Sequence, residues 1–99
     1  MSGTGADLRE RIELMLNARD TEGDEVDEAL TAGYGYALSL ESQRVRVERR
    51  ITELAADAEQ PEAASQLRKL WLQHRTLESE IAELRAKLRR LEQQARAAS

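Results

Sequence analysis

The 99-residue chain has no cysteine, no phenylalanine, one proline and one histidine, and aromatic residues make up only 3% of it. Without cysteine there is no disulfide framework, no thiolate nucleophile and no zinc site of the usual cysteine-bearing kind. No stretch approaches the roughly 18 apolar residues a membrane-spanning helix needs, and the opening "MSGTGADLRE" lacks a basic lead followed by an apolar run. A cytoplasmic protein with no membrane partner is expected. The single histidine, His74, has Glu78 four residues on and so supplies two metal ligands at best, which excludes an expected metal site. The serines share that one histidine, no nucleophile elbow exists, and "GTG" at residues 3 to 5 has neither the strand nor the lysine of a phosphate-cradling loop. No catalytic residue and no cofactor are therefore expected. If the chain were a small helical enzyme, Arg44 and His74 would be the place for its site.

Alanine, leucine, glutamate and arginine dominate, as in long helices and coiled coils. The net charge of −4 is unevenly spread. Residues 1 to 30 carry nine acids and three bases, residues 31 to 67 six and four, and residues 68 to 99 four and eight, giving −6, −2 and +4. Two arginine-rich patches, Arg44/Arg46/Arg49/Arg50 and Arg85/Lys87/Arg89/Arg90, are interleaved with glutamates on several helix faces, so direct nucleic-acid binding is not expected.

Breakers are few. "DTEGD" at 20 to 24 is polar around a glycine, and "EQPEA" holds the only proline, so helices are predicted at about 6–19, 24–59 and 61–97, with residues 1–5 and 98–99 disordered. Pro61 suits a first helical turn, where its missing N–H is no loss, and Asp24 suits an N-cap. In the third segment Leu67, Leu70, His74, Leu77, Ile81, Leu84, Leu88, Leu91 and Ala95 alternate in steps of three and four. In the second, Val26, Leu30, Gly33, Ala37, Leu40, Arg44, Val47, Ile51, Leu54 and Ala58 do the same. Two such seams joined by a short turn should fold as an antiparallel coiled-coil hairpin. With the turn centred on Gln60, facing residues have numbers summing to about 120, so Gly33 meets Leu88 and Arg44 falls near His74, reaching toward Glu78 or Glu80 as a register-fixing polar layer. The expected fold is one all-α domain, this hairpin with the short N-terminal helix packed on it as a three-helix bundle at one end.

Between Ala29 and Leu40 no residue is charged. A helix wet on one side would carry charge there, so this segment must be covered on more than one face. Ala29, Gly33 and Ala37 recur every four residues, a strip that lets another helix backbone approach, and each interior glycine costs about 1 kcal/mol relative to alanine that close packing must offset. Gly35 is expected to make room on a second face, and the flanking Tyr34 and Tyr36 to need hydroxyl partners. One cover is the first helix, whose Leu8, Ile12, Met15 and Leu16 would put Leu8 near Gly35 and Ile12 near Thr31. The other is a second copy of the chain, and a homodimer is expected. Trp71 at the edge of the third-helix seam is the candidate for contact with a different protein.

"DEVDEA", residues 24 to 29, fits D-x-x-D-x-A and resembles the coiled-coil tip motif of the DksA and TraR family, factors that enter the RNA polymerase secondary channel. The resemblance covers about a third of the chain and does not include the family's zinc-binding cysteines. It implies that Asp24, Asp27 and Ala29 are tip residues and that RNA polymerase is a partner. The reading from residues alone is a non-enzymatic interaction or adaptor protein, a homodimer, with candidate interface residues Ala29, Gly33, Tyr34, Tyr36 and Ala37 for the second copy and Trp71 for a different protein. The resemblance offers a transcription modulator as the alternative.

Overall fold

Proline at residue 61 starts a helix, as its fixed φ favours. In the computed structural model, which describes residues 3–18, 23–57 and 59–98, α1 runs Gly3–Ala18, α2 Gly23–Ala55 and α3 Pro61–Ala98. The described residues contain no strand. The protein is all-α, a helical hairpin of α2 and α3 with the short α1 packed on it.

Four boundaries differ from the sequence expectation. α1 begins at Gly3 instead of residue 6, because Gly5 lies against the Tyr36 ring and its first turn is held by a tertiary contact. α2 begins at Gly23, so Asp24 sits inside the first turn with Glu25, where the helix dipole favours acids, and is not the cap. α2 stops at Ala55, four residues short of the expected end. The reversal that follows is made by tight turns, Asp57 N–H donating to Leu54 O at 3.0 Å and Gln60 N–H to Asp57 O at 3.1 Å. The residue before a proline avoids the helical region, so the chain must leave α2 early to reverse before Pro61. Residue 98 is helical. The expectations for residues 1–2, 19–22, 58 and 99 lie outside the described residues.

The chain divides into two compact units. In the first, Met1–Leu38 with Ala82–Ser99, α1 joins the early part of α2 and the late part of α3 as a three-helix bundle. Its core holds Ile12, Ala29, Ala37, Leu84 and Leu88 at 0% exposure, with Leu91, Val26 and Met15 beside them. In the second, Ser39–Ile81, the rest of α2 and α3 pair alone. Leu40, Val47, Ile51, Leu54, Leu77 and Ile81 are buried there, and Arg44, Leu67, Leu70 and His74 are half-buried, all on the predicted seams. Ala63 extends the α3 seam by one further step of four.

Gly33 meets Leu88 as the register requires. A methyl group built on Gly33 would overlap Leu88 Cδ2 and stand 3.3 Å from Leu88 Cγ and 3.4 Å from Ile12 Cδ1. The glycine is thus the hole for a leucine knob, filled by side chains and not by a closely approaching backbone. This also corrects the placing of α1: Ile12 packs beside Gly33, whereas Thr31 is exposed and nothing lies within 4 Å of a methyl built on Gly35. α1 sits where it touches both other helices. Lys87 Nζ on α3 donates to Glu13 Oε1 at 2.7 Å, Gln94 Nε2 on α3 to Met15 O at 3.2 Å, and Arg11 on α1 pairs with Glu28 on α2 at 3.6 Å. The Gln94 bond satisfies one of the last four carbonyls of α1, which have no partner within the helix.

Candidate interaction surfaces

On α2 the 3.6-residue repeat divides the uncharged stretch into a covered and a bare side. Ala29, Gly33 and Ala37 are buried inside the three-helix unit, so they serve the fold of the single chain and are closed to a second one. Tyr34 and Tyr36 are half-buried at the border. Tyr36 stands against Gly5, its ring carbon Cζ 2.6 Å from where a methyl group on that glycine would lie, while the Tyr34 hydroxyl donates to Glu92 Oε1 at 2.5 Å. The bare side carries Thr31, Ala32, Gly35 and Leu38, with Leu38 62% exposed. Beside it a groove of about 540 Å³ opens between α1 and α2, lined by Asp7, Leu8, Arg11, Ala32 and Tyr36.

The hydrogen bond to the Glu92 carboxylate raises the Tyr34 phenol above its ordinary range; burial and the carboxylate's charge act in the same direction, and Arg89 and Arg85 oppose them. A group whose folded pKa is raised contributes stability that is fully present below its unfolded value and lost as pH rises through the folded one. The bond between α2 and α3 in this unit is therefore expected to persist through neutral pH and to fail only in the alkaline range. An ultraviolet absorbance titration should show a late-ionising phenol that Tyr34→Phe abolishes and Glu92→Gln shifts to lower pH. In the same unit the Lys87 ammonium holds the Glu13 carboxyl below its usual range, first through the hydrogen bond and then through charge.

In the second unit the expected polar layer forms with different partners. His74 Nε2 lies 2.8 Å from Glu48 Oε2 on α2, and His74 Nδ1 lies 3.3 Å from Glu78 Oε1 on α3. Arg44 does not reach Glu78 or Glu80: its Nε is 3.9 Å from Glu48 Oε2, and that buried nitrogen has no hydrogen-bond partner. Glu48 is one turn along the same helix, and Glu78 is taken by the imidazole. The Trp71 ring meets His74 edge to face, centroids 5.6 Å apart at 78°. Both imidazole nitrogens face carboxylates, and the hydroxyls of Thr52 and Thr76 donate to backbone carbonyls of their own helices. Among the described residues no group of three or more His, Asp or Glu side chains is placed to hold a metal ion, and no helix is long and apolar enough to cross a membrane.

Trp71 is 56% exposed and its neighbour Leu72 is 63% exposed. Sequence reasoning singled out the tryptophan but missed Leu72, which lies off the seam and reads as surface only once its helix is placed. At the start of α2, Asp24 and Asp27 are exposed and make no ion pair among the described residues, while Ala29 is fully buried. The basic patch of α3 finds its acid on α1, through Lys87 and Glu13, and the turn residues 20–22 lie outside the described part. No protein-family model, no curated protein and no solved structure matches this chain.

Proposed function

We propose that the chain is a non-enzymatic interaction protein of the cytoplasm that pairs with a second copy of itself through the bare side of α2. The observation that carries this is the uncharged, exposed strip Thr31, Ala32, Gly35 and Leu38, in which Leu38 is 62% exposed, Gly35 leaves space above the helix and Ala32 borders the groove. A two-fold contact would use the same patch twice, Leu38 of each copy entering the groove of the other, which makes the interface self-complementary and closed.

Sedimentation velocity tests this directly. The wild-type chain is expected to sediment at twice its 11.2 kDa mass. Leu38→Glu is expected to sediment as a monomer with unchanged helix content, because the site is exposed in the single chain and a carboxylate there is costly only when covered. A wild-type monomer at high protein concentration would refute the pairing.

A second reading rests on Asp24 in the first turn of α2 and Asp27 just after it, both exposed and without an ion pair among the described residues. In a transcription modulator these would reach RNA polymerase, with Ala29 serving the core instead of the contact. Polymerase subunits captured by the wild type and lost with Asp24→Asn and Asp27→Asn, at equal thermal stability, would favour it over helix-end electrostatics.

A further inference from the structure

The second unit carries a surface of its own. Between Arg44 and Glu53 on α2 and between Leu67 and Leu77 on α3 there are seven arginine and lysine side chains against Glu48 and Glu53 alone, a local charge of +5 without counting His74. Both carboxylates are engaged, Glu48 by His74 and Glu53 by Arg50. Arg46, Arg49, Arg68, Lys69 and Arg75 are exposed and make no ion pair or hydrogen bond among the described residues. Arg68, Trp71, Leu72 and Arg75 follow the i, i+3, i+4, i+7 pattern, so two large exposed apolar side chains lie along one face of α3 between two unpaired guanidinium groups.

We infer that this face of α3 docks an acidic amphipathic helix from another protein, apolar side chains of the partner covering Trp71 and Leu72 and its carboxylates pairing with Arg68 and Arg75. This rests on reading the chain as an interaction protein, but not on its pairing through α2. Trp71 is prepared for the role. Its edge contact with His74, itself held by Glu48 and Glu78, fixes the indole while more than half of it stays open, so little side-chain entropy remains to be lost on binding. Arginines at the rim provide forked donors that match carboxylates and steer an acidic partner inward. A nucleic acid fits less well, because the exposed Leu72 beside Trp71 needs an apolar counterpart. A second copy fits less well too, since the acidic start of α2 buries its apolar residues Val26 and Ala29.

The test uses the full chain carrying Leu38→Glu, so that pairing through α2 does not enter. A fluorescein-labelled helical peptide with leucines at i, i+3, i+4, i+7 flanked by glutamates is titrated by anisotropy, beside the same peptide with lysines for glutamates and an oligonucleotide of matched charge. The acidic peptide is expected to bind saturably and to shift the emission of Trp71, the only tryptophan, to the blue. Arg68→Glu with Arg75→Glu is expected to weaken binding about tenfold or more, and Trp71→Ala roughly 30-fold, with helix content unchanged. Equal binding of the lysine peptide, binding of the oligonucleotide alone, or no binding would overturn the assignment. A blue shift that follows protein concentration without peptide would overturn it in favour of a second copy.

Discussion

Replacing Leu88 with alanine is expected to lower the unfolding free energy by about 4 kcal/mol, in the upper half of the 2–5 kcal/mol range for buried leucines. Leu88 is 0% exposed and its Cδ2 fills the space above Gly33. The cost of such a cavity depends on how far its walls can collapse. Here they cannot move far, because Ile12, Leu84 and Leu91 around the site are themselves fully buried and Gly33 has no side chain to extend. For a domain whose whole stability is about 5–15 kcal/mol, the loss should lower the thermal midpoint by roughly 15–30 °C in circular dichroism. Gly33→Ala supplies the partner measurement. In the wild type the added methyl meets Leu88, and overpacking of about 1–3 kcal/mol outweighs the gain of about 1 kcal/mol in helix propensity. In the Leu88→Ala background that clash is gone, so the same change should become stabilising. Additive effects of the two substitutions would show that Gly33 and Leu88 do not touch.

Ile12→Asp is expected to cost about 4 kcal/mol or more, and its effect should be confined. Ile12 is 0% exposed, so the aspartate loses the transfer energy of the isoleucine and buries a carboxylate without a partner. Besides the apolar contacts of Met15 and of Gly5 with Tyr36, α1 is tied by the pairs Glu13 with Lys87 and Arg11 with Glu28 and by the Gln94 bond to Met15. Exposed ion pairs of this kind contribute at most about 1 kcal/mol each. A 16-residue helix is marginal in water on its own, so α1 should detach and unfold. Amide hydrogen exchange should then lose protection across Gly3–Ala18 and at Gly33, while Ser39–Ile81, a unit to which α1 does not belong, keeps its protection. Uniform loss across both units would mean that the two-helix unit depends on α1.

The hairpin was legible because its signal is redundant. Nine positions on α3 and nine on α2, Val26 to Leu54, point to one seam each, Pro61 fixes where α3 starts, and the register follows from the turn, which is why Gly33 could be paired with Leu88 beforehand. The position of α1 was not. Its apolar residues Leu8, Ile12, Met15 and Leu16 allow two neighbouring faces of α2, and the choice is settled by Tyr36 against Gly5 and by Glu13 and Gln94 meeting α3, contacts between residues far apart in the chain. Arg44 was misassigned for a related reason. A long side chain has several carboxylates within reach at nearly equal energy, and Glu78 was removed from the choice by the histidine. The uncharged stretch of α2 was expected to be hidden; half of it is, and the half left bare is the surface assigned here to a second copy.

Because the chain has no cysteine, a single spin label can be placed at Ala32→Cys, on the bare side of α2. If two copies pair there, their helices lie about 8–10 Å apart at the contact, and dipolar spectroscopy should give one narrow intermolecular distance that disappears with Leu38→Glu. Labelled wild-type protein showing no intermolecular dipolar coupling at high concentration would contradict the pairing.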